Sequence, residues 1–136
     1  MSEKISAIVV DDDKDTVAVF RDYLKLKNVD VVGTGFDGKQ GVELFKKFKP
    51  DVVFLDHRMP EYNGLFALYN IRQIDPDAIV IIITADNTLD MNPKIHELNP
   101  SRIIHKPFNI NEVMGVVEEI MHGTVTNSVS EEKEHV

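Results

Sequence analysis

Short apolar runs alternate with amphipathic stretches along most of the chain, and this alternation limits the possible folds more than any other feature. The apolar runs are Ile5–Val10, Val29–Thr34, Asp51–Leu55, Ala78–Ile83 and Arg102–His105. They are largely apolar at successive positions and not at every second one, which is typical of strands buried on both faces of a parallel sheet. The sequence therefore predicts five parallel strands.

The stretches between these runs carry apolar residues at helical spacing, such as Val17, Phe20 and Leu24 in the first of them. Helices are predicted over Lys14–Lys27, Gly38–Phe48, Gly64–Ile74 and Ile110–Met121. Only a short fourth helix is expected within residues 88–99, because Pro93 can begin a helix but not lie in its middle. Five β/α units with right-handed crossovers predict an α/β fold, a doubly wound five-stranded parallel sheet of flavodoxin-like order 2-1-3-4-5.

The helical pattern stops near residue 122, and the residues that follow are polar. A chain of 136 residues is the size of one ordinary domain. We therefore predict a single domain over residues 1–122. Residues 123–136, which include Glu131, Glu132 and Glu134, are predicted to form a disordered acidic tail.

Composition excludes several classes of function. The net charge is −8, from 15 basic and 23 acidic residues, and this argues against direct binding of nucleic acid, which needs a basic face. The absence of cysteine rules out disulfides and thiolate metal sites. No apolar run approaches the roughly 20 residues of a membrane span, and the N-terminus lacks the layout of a signal peptide. We expect a cytoplasmic protein without a membrane partner.

Polar side chains stand at the ends of four predicted strands. Asp11 and Asp12 follow the first strand, Asp56 the third, Thr84 the fourth and Lys106 the fifth. The carboxyl ends of the strands of a doubly wound sheet meet at one edge, where the sites of such proteins lie. These five residues are therefore predicted to line one pocket.

The acidic residues of this set predict a metal site. Carboxylates packed together repel one another unless a cation lies among them. Oxygen ligands without cysteine or paired histidines favour Mg²⁺ over zinc. The candidate ligands are the side chains of Asp11, Asp12 and Asp56 and the backbone carbonyl of Arg58.

The same constellation predicts phosphoryl chemistry. A carboxylate can attack phosphorus and form an acyl phosphate, and such transfer depends mainly on positioning and on neutralising charge. Asp56, on the central strand, is the candidate nucleophile. Thr84 and Lys106 are candidates for binding the phosphoryl oxygens.

Four segments resemble the signatures of two-component response regulator receiver domains. They are I-V-V-D-D-D (8–13), V-V-F-L-D-H-R-M-P-E-Y-N-G (52–64), I-I-I-T-A (81–85) and H-K-P-F (105–108). The resemblance covers about residues 4–122 and implies that Asp56 accepts a phosphoryl group, with Mg²⁺, from a histidine kinase, a phosphotransfer protein or a small acyl phosphate. It also implies a cis Lys106–Pro107 bond, signalling to a downstream protein through changed contacts, and catalysis only of the domain's own phosphorylation and dephosphorylation.

The chain departs from the family pattern in its predicted signalling route. Receivers often carry Tyr or Phe three residues before the lysine as a rotamer switch, whereas this chain has Ile103. We hypothesise that an order–disorder change in residues 86–100 transmits the signal instead. Arg58 and Asp86 are predicted to pair beside the phosphoryl group and slow its loss. The resemblance implies that helix four, strand five and helix five form the contact surface.

Three alternatives stay open at this stage. The first is an intermediate carrier in a phosphorelay, which has the same site. The second is a haloacid-dehalogenase-like phosphatase, but that class has an acid two residues beyond its nucleophile, where this chain has Arg58. The third is a flavodoxin-like cofactor binder, whose first loop cradles phosphate; here Asp11, Asp12 and Asp13 would repel phosphate without a metal.

Overall fold

Strands and helices alternate through residues 4–122, the part of the chain that the computed structural model describes. The strands are β1 (Ile5–Val10), β2 (Val29–Gly35), β3 (Val52–Asp56), β4 (Ile79–Thr84) and β5 (Arg102–His105). The helices are α1 (Lys14–Leu26), α2 (Gly38–Phe48), α3 (Gly64–Ile74), α4 (Pro93–Leu98) and α5 (Ile110–Met121). A 3₁₀ segment, Leu89–Met91, precedes α4. None of these helices is long and apolar enough to cross a bilayer.

The five strands form one parallel sheet in the order β2-β1-β3-β4-β5. This confirms the predicted fold class and strand order. β3 lies at the centre and all five of its residues are buried, which explains why its sequence shows no polar alternation. The observed β3 extends to Asp56 and not only to Leu55, because Asp56 is paired with Ile83 of β4.

Two apolar layers cover the sheet, one on each face. On one face α2, α3 and α4 form a buried cluster with the sheet, which includes Ile8 and Ile82 of the strands and Leu68 of α3. On the other, α1 and α5 enclose a cluster that includes Leu24 and Val117. Fully burying a leucine or valine side chain contributes about 1.5–3 kcal/mol, so the layers hold the sheet from both sides and fix the positions of its strand ends.

Each α-helix begins at a side chain that caps its first turn. The caps, whose side-chain oxygens accept hydrogen bonds from backbone N–H groups, are Asp13, Asp37, Asn63, Asn92 and Asn109. Such a cap is worth about 1 kcal/mol to the helix. For α1 the capping residue is only three positions beyond the end of β1, which keeps the intervening acids at the sheet edge.

The fourth helix is short, as the position of Pro93 predicts. Pro93 occupies the first turn, and α4 contains only six residues. Leu89 and Ile95 are nonetheless fully buried in the apolar layer on that face. The segment is therefore held to the sheet by two apolar anchors. Residues 123–136, where a disordered acidic tail is predicted, lie outside the described residues.

Candidate functional site

Three carboxylates meet where β1 and β3 end. Asp11 and Asp12 follow β1 directly, and Asp56 is the last residue of β3. The two strands are neighbours, with Val10 opposite Leu55, so the residues that follow them reach the same edge. One carboxylate oxygen from each of the three acids lies within 4.8 Å of the others. Asp11 and Asp56 are buried, whereas Asp12 is exposed.

The ammonium group of Lys106 closes the carboxylate cluster from the β5 side. Its Nζ lies 3.2 Å from Oδ2 of Asp11 and 3.6 Å from Oδ1 of Asp56. The backbone N–H of Lys106 donates to the carbonyl oxygen of Thr84 at 2.8 Å, which ties the lysine to the end of β4. The Lys106–Pro107 bond is cis. A single cation thus faces two of the three acids.

Thr84 is fully buried at the end of β4. It lies one residue beyond Ile83, the register partner of Asp56. Its Oγ1 accepts a hydrogen bond from the backbone N–H of Asp86 at 2.9 Å, which leaves the hydroxyl hydrogen able to donate. Thr84 can therefore offer a donor to a group bound beside Asp56.

The charges around Asp56 are not balanced. Its pKa is raised to about 6, first because burial disfavours the carboxylate and then because Asp11 is negatively charged, while Lys106 opposes the rise. Burial works to lower the pKa of Lys106, but the attraction of Asp56 and Asp11 outweighs it and the net shift is upward. A further cation beside the acids would restore the ionised form of Asp56.

The ligand atoms of the cluster fit a small, hard divalent cation. All are carboxylate oxygens, and Mg²⁺ prefers oxygen ligands and binds through one or two carboxylates together with water or phosphate. Burial, and then the negative charge of Asp11, raise the pKa of Asp56, so a cation bound here would favour its ionised form. The backbone carbonyl of Arg58, the remaining predicted ligand, lies two residues beyond Asp56, and its role stays a prediction.

The three consecutive acids after β1 have different tasks. Asp13 caps α1 by accepting from the N–H groups of Asp15 and Thr16 at 3.0 and 3.4 Å. Asp11 Oδ1 accepts from the Asp13 N–H at 3.0 Å, so the same turn orients the Asp11 carboxylate. Only Asp11 and Asp12 join the carboxylate cluster with Asp56.

Arg58 and Asp86 form the pair that their positions predicted. A guanidinium nitrogen of Arg58 lies 3.4 Å from Oδ2 of Asp86, and the arginine side chain is 74% exposed against 13% for the aspartate. Hydrogen bonds from Thr88, and then the Arg58 charge, lower the pKa of Asp86. The pair joins the loop after β3 to the loop after β4, and so crosses the outer rim of the site.

The loop that follows Asp56 is packed too closely for a side chain at Gly64. The Gly64 N–H donates to the carbonyl oxygen of His57 at 2.8 Å. A Cβ at this position would lie 2.6 Å from the carbonyl oxygen of Asp56 and 2.9 Å from Cα of His57. The absence of a side chain at Gly64 therefore lets α3 begin directly against the backbone of Asp56 and His57.

Sequence reasoning missed a contact on the β5 side of the site. Nε2 of His105 lies 2.8 Å from Oδ1 of Asp90, which belongs to the 3₁₀ segment. In the sequence, only the position of His105 directly before Lys106 pointed to this contact, because a polar residue outside a helical or strand pattern is usually expected to face solvent.

Fold and site together define a class: a doubly wound α/β protein with an acidic site, closed by a lysine, at the carboxyl ends of its strands. Residues 7–118 match the family model of the response regulator receiver domain. The chain belongs to the response regulator receiver domain family. Of the three protein classes that the sequence left open, family membership supports the receiver, and neither the phosphatase nor the flavodoxin-like cofactor binder.

Individual relatives agree with this assignment. Protein CcdB of Bacillus subtilis is 37% identical over 114 residues, which are 84% of this chain and 95% of that protein. Chemotaxis protein CheY of Thermotoga maritima is 30% identical over 113 residues, which are 83% of this chain and 94% of that protein.

Solved structures show the same architecture. A chain of the CheX-CheY-BeF3-Mg+2 complex from Borrelia burgdorferi is 26% identical and has a TM-score of 0.80, covering 86% of this chain and 89% of that chain. A CheY-like receiver domain protein from Methanospirillum hungatei, at 16% identity, has a TM-score of 0.82 over 89% of this chain and 96% of that chain. The second likeness concerns the fold alone.

Proposed function

We propose that this receiver domain is a phospho-acceptor switch in which the carboxylate of Asp56 takes a phosphoryl group in a Mg²⁺-dependent reaction. The observation that carries the proposal is the convergence of three carboxylates and the Lys106 ammonium within one small site. A carboxylate oxygen of Asp56 forms the new bond to phosphorus. The bond from phosphorus to the donor atom breaks, and the leaving group, an imidazole nitrogen of a phosphohistidine, keeps the electron pair and takes up a proton.

The other residues of the site prepare this step. Asp11 and Asp12, with the carbonyl of Arg58, would hold the Mg²⁺, which supplies positive charge for the phosphoryl oxygens. Lys106 pairs with another phosphoryl oxygen, and Thr84 donates its hydroxyl hydrogen to a third. Because catalysis of this type is mostly positioning and charge neutralisation, these contacts need no further acid or base from the chain.

The ionisation of Asp56 links the metal to the reaction. Only the carboxylate form attacks phosphorus, and burial together with Asp11 raises the pKa of Asp56 to about 6. A bound cation lowers this pKa again. The metal therefore extends the ionisation of Asp56 to lower pH as well as assisting the transfer itself.

The partners follow from this function. The phosphoryl donor is a histidine kinase or a phosphotransfer protein in the cytoplasm, and the output is a changed contact with a downstream protein. The CheX-CheY-BeF3-Mg+2 complex from Borrelia burgdorferi is a precedent for a complex between CheY and another protein. We assign the contact surface for this chain to α4, β5 and α5.

Labelling with radioactive acetyl phosphate tests the proposal. The wild-type protein is expected to take up label when Mg²⁺ is present and to lose this ability when the metal is chelated. Asp56→Asn, which keeps the shape of the side chain, is expected to take up none. Asp22→Asn is the matched control, because Asp22 is exposed on α1 and should be labelled like wild type. Labelling of Asp56→Asn at the wild-type rate would overturn the proposal.

A further inference from the structure

We propose that the contact between His105 and Asp90, here named the latch, holds the 3₁₀ segment and α4 against the end of β5 and is released when a phosphoryl group binds at Asp56. The proposal rests on the proposed function, since it describes how the same site would control a neighbouring element. It assigns to His105 a positioning role and no part in the phosphoryl chemistry.

The latch joins two elements that are otherwise linked by apolar packing. Nε2 of His105 lies 2.8 Å from Oδ1 of Asp90, and the two side chains are 37% and 53% exposed. Nδ1 of His105 is buried and has no hydrogen-bond partner within residues 4–122. Asp90 is therefore the polar anchor of this imidazole ring. The Nε2 of His96 contacts the backbone carbonyl oxygen of Asp90, so Asp90 connects β5 to α4 as well.

A continuous series of hydrogen bonds leads from the site to the latch. The backbone N–H of Asp86 donates to Oγ1 of Thr84 at 2.9 Å. The backbone N–H of Leu89, directly before Asp90, donates to the carbonyl oxygen of Asp86 at 3.3 Å. From the other side, the N–H of Lys106 donates to the carbonyl oxygen of Thr84 at 2.8 Å. His105 is therefore next in sequence to Lys106, whose backbone N–H is bonded to Thr84. Asp90 is next to Leu89, whose backbone N–H is bonded to Asp86.

Phosphoryl binding disturbs this series at Thr84. When the Thr84 hydroxyl turns to donate to a phosphoryl oxygen, its Oγ1 moves relative to the N–H of Asp86. The loop from Asp86 to Thr88 then shifts and carries Asp90 away from His105. The released carboxylate is already half-exposed, so its transfer to water carries little penalty.

The latch is weak enough to be opened by a bound ligand. An ion pair or charged hydrogen bond at this level of exposure typically changes an equilibrium by about 1.4- to 5-fold. Leu89 and Ile95 stay buried in the apolar layer, so release loosens the segment without unfolding it. By thermodynamic reciprocity, a protein without the latch should bind the phosphoryl mimic more tightly by the same factor.

Amide hydrogen exchange across residues 89–98 tests the latch. In wild type, beryllofluoride with Mg²⁺, a stable mimic of the phosphoryl group, is expected to accelerate this exchange about 1.4- to 5-fold. His105→Ala should exchange at the faster rate without the mimic and respond little to it. Asp90→Ala, which breaks the same contact from the other side, should behave alike, and the double variant should match either single one.

Arg102→Ala is the matched control. Arg102 is also in β5 and makes an ion pair of 2.9 Å, but its partner is Glu119 of α5, so exchange in residues 89–98 should remain as in wild type. If His105→Ala exchanges like wild type without the mimic, or keeps the full response to it, the latch is wrong.

Acetyl phosphate labelling of the same samples separates the two proposals. Failure of wild type to take up label at Asp56 overturns the proposed function, and the latch with it. Normal labelling of wild type and His105→Ala, combined with exchange that does not depend on His105, overturns the latch alone.

Discussion

At the scale of single residues, the pKa of Asp56 is set by its surroundings more than by the ordinary acidity of an aspartate side chain. Burial and the charge of Asp11 raise its pKa, and Lys106 only partly offsets them. The same side chain on the surface would be ionised at any physiological pH. Burial and Asp11 thus make the ionised form of Asp56 less favourable than it would be on the surface, and a bound cation would offset this effect.

This environment predicts a pH-dependent gain in stability for Asp56→Asn in the metal-free protein. The folded pKa is about 6 against an ordinary 3.8, so the stabilising contribution of Asp56 is complete below its unfolded pKa and is lost as the pH rises through the folded one. Asparagine has no such loss. The free energy of unfolding in urea should therefore favour the variant more at about pH 7 than at about pH 4.

Mg²⁺ provides the control for this prediction. A cation that binds the folded state stabilises it by mass action, and wild type should gain more from it than Asp56→Asn. The advantage of the variant at neutral pH should shrink or reverse. An advantage that is equal at both pH values, or that Mg²⁺ does not change, would contradict the electrostatic account.

The pair of Arg58 and Asp86 predicts a change in the lifetime of the phosphoryl group. Arg58→Ala and Asp86→Asn each remove the contact of 3.4 Å across the rim, and asparagine can still accept the hydrogen bonds from Thr88. Loss of label after removal of acetyl phosphate should be faster by about 1.4- to 5-fold, the range that an exposed pair can supply. Arg102→Ala, whose ion pair lies on β5 and α5, should not change this rate. Unchanged rates in both rim variants would show that the pair is incidental.

At the scale of elements, short loops place the site residues. The loop between β3 and α3 has room for no side chain at Gly64, because the backbone of Asp56 and His57 lies against it. The start of α2 is equally close to this loop: a Cβ at Gly38 would lie 2.5 Å from the carbonyl oxygen of Asn63. The position of Asp56 thus depends on two glycines outside its strand.

Replacing glycine by alanine is expected to have opposite effects in two helices. Gly64→Ala forces the backbone around Asp56 to move and should reduce the free energy of unfolding by about 1–3 kcal/mol, with slower labelling of Asp56. Gly115→Ala places its methyl group on the exposed side of α5, with no described atom within 4 Å, and should add about 0.5–1 kcal/mol. Urea unfolding measures both. A neutral Gly64→Ala with normal labelling would argue that the loop adapts freely.

Local sequence sets the start and the length of α4, and tertiary packing sets how firmly its segment is held to the sheet. Pro93 lies at the helix start and α4 is short, as predicted, and it ends at Asn99, which has a left-handed backbone conformation. The burial of Leu89 and Ile95 was not anticipated for a segment predicted to change between order and disorder. The structure describes the segment in its docked form, and the order–disorder change on phosphorylation stays a prediction.

At the scale of the whole molecule, the sheet joins two apolar layers into one unit. Leu24 belongs to the layer under α1 and α5, and Leu68 to the layer under α2, α3 and α4; both are fully buried. Because both layers pack on the same strands, neither is expected to unfold without the other.

Truncation in either layer should therefore weaken the entire domain. Leu24→Ala and Leu68→Ala are each expected to lower the free energy of unfolding by about 2–5 kcal/mol while a single transition is kept. Leu26→Ala, whose side chain is 80% exposed, should change it by less than about 0.5 kcal/mol. Two separate transitions, observed by fluorescence and circular dichroism, would show that the layers are independent.

Much of this protein could be read from sequence because its strongest signals are local and periodic. The predicted bounds of α2, α3 and α5 agree with the structure. The five candidate residues at strand ends could be named because in a parallel sheet the end of each strand must reach the same edge. The acidic loop after β1 and the lysine after β5 could therefore be assigned to one site without any measured distance.

The sequence by itself determined the alternation of elements, the parallel sheet and the identity of the residues at its edge, since these follow from periodicity and chain connectivity. Only the tertiary structure decided that Lys106 lies nearer to Asp11 than to Asp56, and that His105 meets Asp90. The first of these contacts joins positions 95 residues apart. Contacts of this kind, and the pKa of Asp56, depend on burial and on distances through space, which no local pattern encodes.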